Sequence, residues 1–138
     1  RMIIGDIVNG IVIDHIKVGQ GEEIYHALEL DKLDAMVIVL HNATSATMGH
    51  KDVIKFDKII DLDLDKLSYI APGVTVSVIK GGEVVVSEEL ELPERLVNVV
   101  QCRNPRCITS VEQELAHEFR LANREKRVYR CIYCESEA

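Results

Sequence analysis

VTVSVIKGGEVVVSEE, residues 74–89, decides how the first part of this chain folds. Two runs rich in valine and isoleucine flank Gly81-Gly82, the composition of a β-hairpin closed by a tight turn. In that register Lys80 faces Glu83 and Ile79 faces Val84, an opposite-charge pair beside an apolar one.

Working backward, Asp61, Asp63 and Asp65 precede a short helix around Leu62–Tyr69, which APG (71–73) breaks. KDVIKF (51–56) reads as a strand. Its two-residue period sets Lys51, Val53 and Lys55 on one face and Asp52, Ile54 and Phe56 on the other. HNATSATMGH (41–50) is small and polar and reads as a loop. AMVIVL (35–40) reads as a strand buried on both faces. GEEIYHALEL (21–30) fits a short amphipathic helix with acids in its first turn, and IVIDHI (11–16) is a β-branched strand. The fold class expected is α+β: a ferredoxin-like mixed sheet with two helices on one face.

Working forward, SEELELPERL (87–96) is an acidic connector containing Pro93, and the charge balance changes across it. Residues 1–94 hold 8 basic and 17 acidic residues, a balance of −9; residues 95–138 hold 8 and 6, a balance of +2. The sequence predicts two domains, 1–92 and 93–138. The acidic first module argues against nucleic-acid binding there. No apolar run reaches bilayer-spanning length and no leader pattern opens the chain, so a soluble, cytoplasmic protein is expected.

The second module holds all four cysteines. VNVVQC reads as a strand entering CRNPRC (102–107). Thr109–Lys126 is polar and loop-like. VYRC, a last strand, enters CIYC (131–134). The pattern is C-x4-C, 23 residues, then C-x2-C. Four thiolates so spaced can surround one tetrahedral Zn2+, giving Cys102, Cys107, Cys131 and Cys134 as metal ligands of a small all-β zinc-binding domain. Disulfides fit a cytosolic chain poorly. A redox C-x-x-C would open a helix within a βαβ unit, and no helix is expected after Cys134. Four protein ligands leave no open position for catalysis. A metal also supplies folding free energy that so few large apolar residues could not. Arg103, Arg106 and Arg130 flank the cage and suit a protein interface better than a nucleic-acid one.

No nucleophile–base pair or glycine-rich phosphate loop is present. His26, His41, His50 and His117 read as surface residues, and the acid-rich stretch 57–65 as a solvated helix start.

GIVIDHI (10–16), MGHKDVIKF (48–56), YIAPGVTV (69–76), LPERLVNVVQC (92–102) and the four cysteines, in this order, resemble the regulatory chain of aspartate carbamoyltransferase. The resemblance covers almost the whole chain. It implies a non-catalytic subunit acting in pyrimidine biosynthesis. Residues 1–92 would bind nucleotide effectors such as CTP, UTP or ATP, and 93–138 would dock on the catalytic chain. A homodimer would form through the N-terminal domain. The implied effector residues are Ile7, Asp14, His15, Lys51, Val53, Lys55, Ile79 and Val84. Ser77, Gly82 and Ser87 depart from the family pattern, which has an asparagine, an aromatic and a lysine at these places. Two other readings stay open: an assembly-only family member without effector binding, and a zinc-ribbon regulator that binds nucleic acid.

Overall fold

The computed structural model of this chain describes residues 7–138. Its elements run β1 (Gly10–Ile16), α1 (Gly21–Ala27), a 3-10 turn (Leu30–Lys32), β2 (Val37–Ser45), β3 (Gly49–Phe56), α2 (Leu64–Ile70), β4 (Thr75–Lys80), β5 (Glu83–Glu89), β6 (Arg95–Val97), α3 (Ile108–Val111), β7 (Glu118–Asn123) and β8 (Val128–Cys131). The chain divides into two compact units, Arg1–Glu91 and Leu92–Ala138.

The first unit holds a five-stranded sheet in the order β2-β3-β1-β4-β5. Every neighbouring pair is antiparallel. The expected mixed sheet is thereby corrected. The crossovers β1–α1–β2 and β3–α2–β4 do join parallel strands, but in each case a third strand is inserted between them. The α+β, ferredoxin-like arrangement stands, with β5 added at one edge.

The hairpin forms as the sequence expects. Gly81 and Gly82 take positive φ of 61° and 79°, which glycine adopts without a Cβ penalty. Ile79 pairs with Val84 and Lys80 with Glu83. The other hairpin corrects the reading of residues 41–50. They are not a loop: β2 runs to Ser45 and pairs with β3 down to Gly49. Nor is β2 buried on both faces. Val37 to Leu40 are half-buried, because β2 is a sheet edge.

Two bulges shape the sheet. On β1 the register slips between Ile13 and Ile16, and on β2 between Leu40 and Ala43. His15 and Asn42 take left-handed φ of 59° and 58° at these points. Each strand so gains one residue over β3. On β1 the result is that Ile13 and Ile16, an odd distance apart, both point into the core and are fully buried.

That core lies between the sheet and its helices. Ile11, Ile13, Ile54 and Phe56 from the sheet meet Ile24 of α1 and Leu67 of α2. Asp63 caps α2 by accepting the Lys66 N–H at 3.1 Å. Gly10 is required where it stands, since a Cβ there would lie 2.1 Å from the Phe56 carbonyl oxygen.

The second unit carries a three-stranded sheet, β6-β7-β8. Leu96, Phe119 and Cys131 form one register row and are fully buried. β7 corrects the expectation of a loop over Thr109–Lys126. β6 ends at Val97, so the segment from Asn98 into the first cysteine is not strand. α3 is a single turn within an otherwise β domain. Among the described residues no helix is long and apolar enough to cross a membrane.

Candidate effector face and metal centre

The side chains of β3 split as its two-residue period dictates. Asp52, Ile54 and Phe56 are fully buried toward the helices. Lys51, Val53 and Lys55 therefore face the open side of the sheet. Lys55 lies opposite Val12, Val12 opposite Ser77, and Ser77 opposite Ser87. Ser77 Oγ and Ser87 Oγ are 3.2 Å apart, so both point to the same side. The next open-side row is Asp14, Thr75 and Glu89. Ile79 and its partner Val84 lie two positions along from Ser77, toward the turn.

Of the residues implied as an effector site, this face brings together Asp14, Lys51, Val53, Lys55, Ile79 and Val84. Val84 is 60% exposed on the edge strand, whereas Val53 is only 5% exposed. His15 sits on the β1 bulge with its Nδ1 3.1 Å from Thr75 Oγ1, beside the Asp14 row. Ile7 is buried before β1, next to Gly10.

Asp14 and Lys51 are not independent groups, as the sequence alone had them. Asp14 Oδ1 lies 2.9 Å from Lys51 Nζ, and both side chains are partly shielded. Burial pushes the Asp14 carboxyl up. The Lys51 ammonium and the His15 N–H, which donates to Asp14 Oδ1 at 2.6 Å, outweigh that and hold it below its ordinary value.

On the helix side lies a group the sequence did not single out. Asp52 is fully buried, and its carboxylate accepts three backbone N–H groups at 3.0 Å each. Gly19 and Gly21 donate to Oδ2, and Asn42 to Oδ1. Asp52 lies at the level of both bulges, pairing with Ile16 and falling between the partners of Leu40 and Ala43. Asn42 belongs to the β2 bulge, whereas Gly19 lies in the connection after β1 and Gly21 opens α1. Desolvation pushes the Asp52 carboxyl up, but the three amides and His41 hold it below its usual value. His41 itself bridges Asp52 Oδ2 at 3.4 Å and Glu22 Oε1 at 3.2 Å.

The second candidate site is the cysteine cluster. The four Sγ atoms of Cys102, Cys107, Cys131 and Cys134 all lie within 4.8 Å of one another. Cys102 and Cys134 are 3.6 Å apart, and Cys107 and Cys131 are 3.7 Å apart. Metal–sulfur bonds of about 2.3 Å in a tetrahedron require sulfur–sulfur edges of about 3.8 Å. The four free thiols fit a structural metal ion.

Two tight turns hold them. Cys107 N–H closes on Asn104 O and Cys107 is the N-cap residue of α3; Glu135 N–H closes on Cys131 O. Thr109, itself buried, donates its hydroxyl to Cys107 Sγ at 3.1 Å. Burial pushes the Cys102 thiol up to about 12, while hydrogen bonding from Ser136 brings Cys134 down to about 6. A divalent cation among the sulfurs would hold all four as thiolates. His117, expected at the surface, is half-buried and accepts the Cys102 N–H on Nδ1 at 3.1 Å. Its backbone pairs with Asn98. No sequence signal marks that role, because it depends on β7 being a strand.

Residues 2–91 match the family described as the allosteric domain of the aspartate carbamoyltransferase regulatory chain, and residues 94–138 match that chain's metal binding domain. A regulatory chain of aspartate carbamoyltransferase from Clostridium botulinum is 42% identical over 134 residues, covering 97% of this chain and 92% of its own length. One from Clostridium acetobutylicum is 41% identical over 134 residues, with the same coverage. One from Bifidobacterium longum is 39% identical over 137 residues and covers 99% of each chain. With both domain families matched in order and these relatives aligned end to end, the chain belongs to the regulatory chains of aspartate carbamoyltransferase, non-catalytic subunits built from an allosteric and a metal-binding domain.

Proposed function

We propose that the open sheet face of residues 1–92 binds nucleotide effectors of pyrimidine biosynthesis. Residues 93–138 would dock on the catalytic chain around a structural Zn2+ held by Cys102, Cys107, Cys131 and Cys134. The observation that carries the effector reading is the gathering of Asp14, Lys51, Val53, Lys55 and Ile79 on one face opposite the helices. The ammonium groups suit phosphate. The Asp14 carboxylate accepts ribose hydroxyls, and Val53, Ile79 and Val84 offer apolar contact to a base. His15 beside Thr75 adds a hydrogen-bonding edge.

The metal module does no chemistry. Its sulfurs are all committed, so its role is to fix the loops that carry Arg103 and Arg106 as an interface. Regulation is then a population shift. A nucleotide that prefers this face in one quaternary state biases the catalytic chain toward that state. A cytoplasmic homodimer through the N-terminal domain would provide two such faces per assembly.

Reconstitution with the catalytic chain tests the reading. The chain should co-purify with it and contain one zinc per copy by metal analysis. Cytosine, uracil and adenine nucleotides at each phosphorylation state should include one that moves the substrate-saturation curve. An assembled holoenzyme whose curve no nucleotide moves would leave an assembly-only subunit and overturn the effector half.

A further inference from the structure

Leu92, Pro93 and Glu94 follow one another in the chain, and the carbonyl oxygen of each accepts a hydrogen bond from the β7–β8 hairpin. Arg124 Nη1 donates to Leu92 O at 3.1 Å, the Tyr129 hydroxyl to Pro93 O, and the Leu121 N–H to Glu94 O at 2.8 Å. β6 takes up the pairing at once, with Arg95 opposite Arg120. The backbone dihedrals are restricted as well. The Pro93 ring fixes its own φ. Leu92, as the residue before a proline, is confined to extended backbone. From Leu92 onward the connector is therefore an arm of the metal-binding unit and not a loose link.

The chain before it is held as firmly by the first unit. Leu90 N–H donates to Val74 O at 2.8 Å, and Leu90 O accepts the Gly73 N–H at 2.7 Å. These bonds carry the β4–β5 ladder one residue past the Thr75–Glu89 pair. The Leu90 side chain is buried in the core that also holds Val74 and Val76. Glu91 alone lies between the two anchored stretches. It is exposed and belongs to no helix or strand. Among the described residues, neither its backbone nor its carboxylate has a hydrogen-bonding or ionic partner.

We infer that Glu91 is the single pivot of this chain: the two units reorient about its φ and ψ, and Leu92–Glu94 moves with the second. Each residue contributes two soft dihedrals, and a hinge is a few residues that absorb changes in them while their flanks stay rigid. A long free linker absorbs translation as well as rotation. A pivot one residue long does not, because the Cα atoms on either side of it stay within about 7 Å of each other. It permits rotation and little else, so a displacement of Leu90 is passed on to Leu92. Arg124 and Tyr129 are then positioning residues, since without them the free stretch would lengthen past Pro93. Tyr129 precedes Cys131 by two positions on β8, so the arm rests on a strand that also enters the metal cage. Nothing in this requires a ligand on the first unit.

Residual dipolar couplings of the backbone N–H groups, measured by NMR on the full zinc-loaded chain, test this. The couplings from β1 through Glu91 should fit one alignment tensor, and those from Leu92 onward a second, different one. The Glu91 N–H belongs to the first set because its peptide plane is shared with Leu90. The double variant Arg124→Ala/Tyr129→Phe removes two of the three donors to the arm. Arg124 is exposed and phenylalanine keeps the buried ring, so this variant should fold. In it the Leu92 and Glu94 couplings should shrink by averaging and drop out of the second fit. Arg95 should stay within that fit, because the Leu121 N–H still holds Glu94 O. A single tensor that fits the whole wild-type chain, or a break between tensors anywhere other than Glu91, overturns the inference. Leu92 and Glu94 couplings unchanged in the double variant overturn the role given to Arg124 and Tyr129, and with it the one-residue pivot.

Discussion

The amide of Gly21 donates to Asp52 Oδ2 at 3.0 Å, and no side chain could stand between them. A Cβ on Gly21 would lie 2.8 Å from that oxygen. Because Asp52 is fully buried and also holds Gly19 and Asn42, the entry to α1 and the β2 bulge are anchored on one carboxylate. Gly21→Ala should destabilise the chain by about 1–3 kcal/mol through overpacking. Asp52→Ala, which orphans the buried Gly21 N–H and the part-buried N–H groups of Gly19 and Asn42, should cost about 2–4 kcal/mol. Urea denaturation followed by circular dichroism reads both, and an Asp52→Ala variant as stable as wild type would refute the anchoring role. The pH sign follows from the depressed Asp52 carboxyl. Its contribution is present above the unfolded value near 3.8 and is lost as pH falls through the lower folded value.

His41 gives the opposite sign. The Glu22 carboxylate, aided by Asp52, raises its ring above the ordinary value of 6.5 against the opposing effect of desolvation. Its contribution is therefore fully present below the unfolded value and is lost as pH rises through the higher folded one. An NMR titration of the His41 ring should give a midpoint above 6.5, and Glu22→Gln should bring it down. No change of midpoint in the variant would mean the Glu22 contact is not populated in solution.

Thr109 tests the metal cage from one layer out. Its hydroxyl donates to Cys107 Sγ, so Thr109→Val removes a hydrogen bond to a ligand while keeping the volume. Metal affinity should fall by about 10–100-fold, as it does when outer partners of ligands are lost. Competition with a chromogenic chelator measures it. Stripping the metal should also unfold β6–β7–β8, because Cys131 sits in the core row with Leu96 and Phe119. Retention of native Tyr129 and Phe119 signals in the stripped chain would contradict that.

Gly10 is a packing constraint of the same kind as Gly21 but more severe. Gly10→Ala would place a methyl 2.1 Å from a β3 carbonyl. The strands β1 and β3 must part locally, at a cost of about 3 kcal/mol or more. A thermal melt unchanged by more than a degree or two would show that the strands accommodate the methyl freely.

What the sequence made legible followed burial. β1, β3 and the β4–β5 hairpin announce themselves because alternate residues enter a core, and the cysteine spacing because four ligands must converge. β2 beyond Leu40 was hidden, since an edge hairpin of small polar residues has little burial to record. β7 was hidden for a related reason: Phe119 is its one fully buried side chain, between charged neighbours. The antiparallel sheet depends on which strand is inserted between which, a long-range choice that no local pattern states. The bulges escaped too. Without the slip at His15, nothing in VIDHI brings Asp14 onto Lys51 or explains why Asp52 is sheltered.

The two cysteine turns of the cage are separated by 23 residues that include all of β7. Pairing β7 with β8 and closing the cage are the same event, because Cys131 belongs to both. During synthesis the first turn must therefore wait, its thiols open, until the last strand has left the ribosome. Timing then becomes a property of the module. Metal supply while the chain is being made, and not only the affinity of the finished site, would then bear on how many chains fold this module.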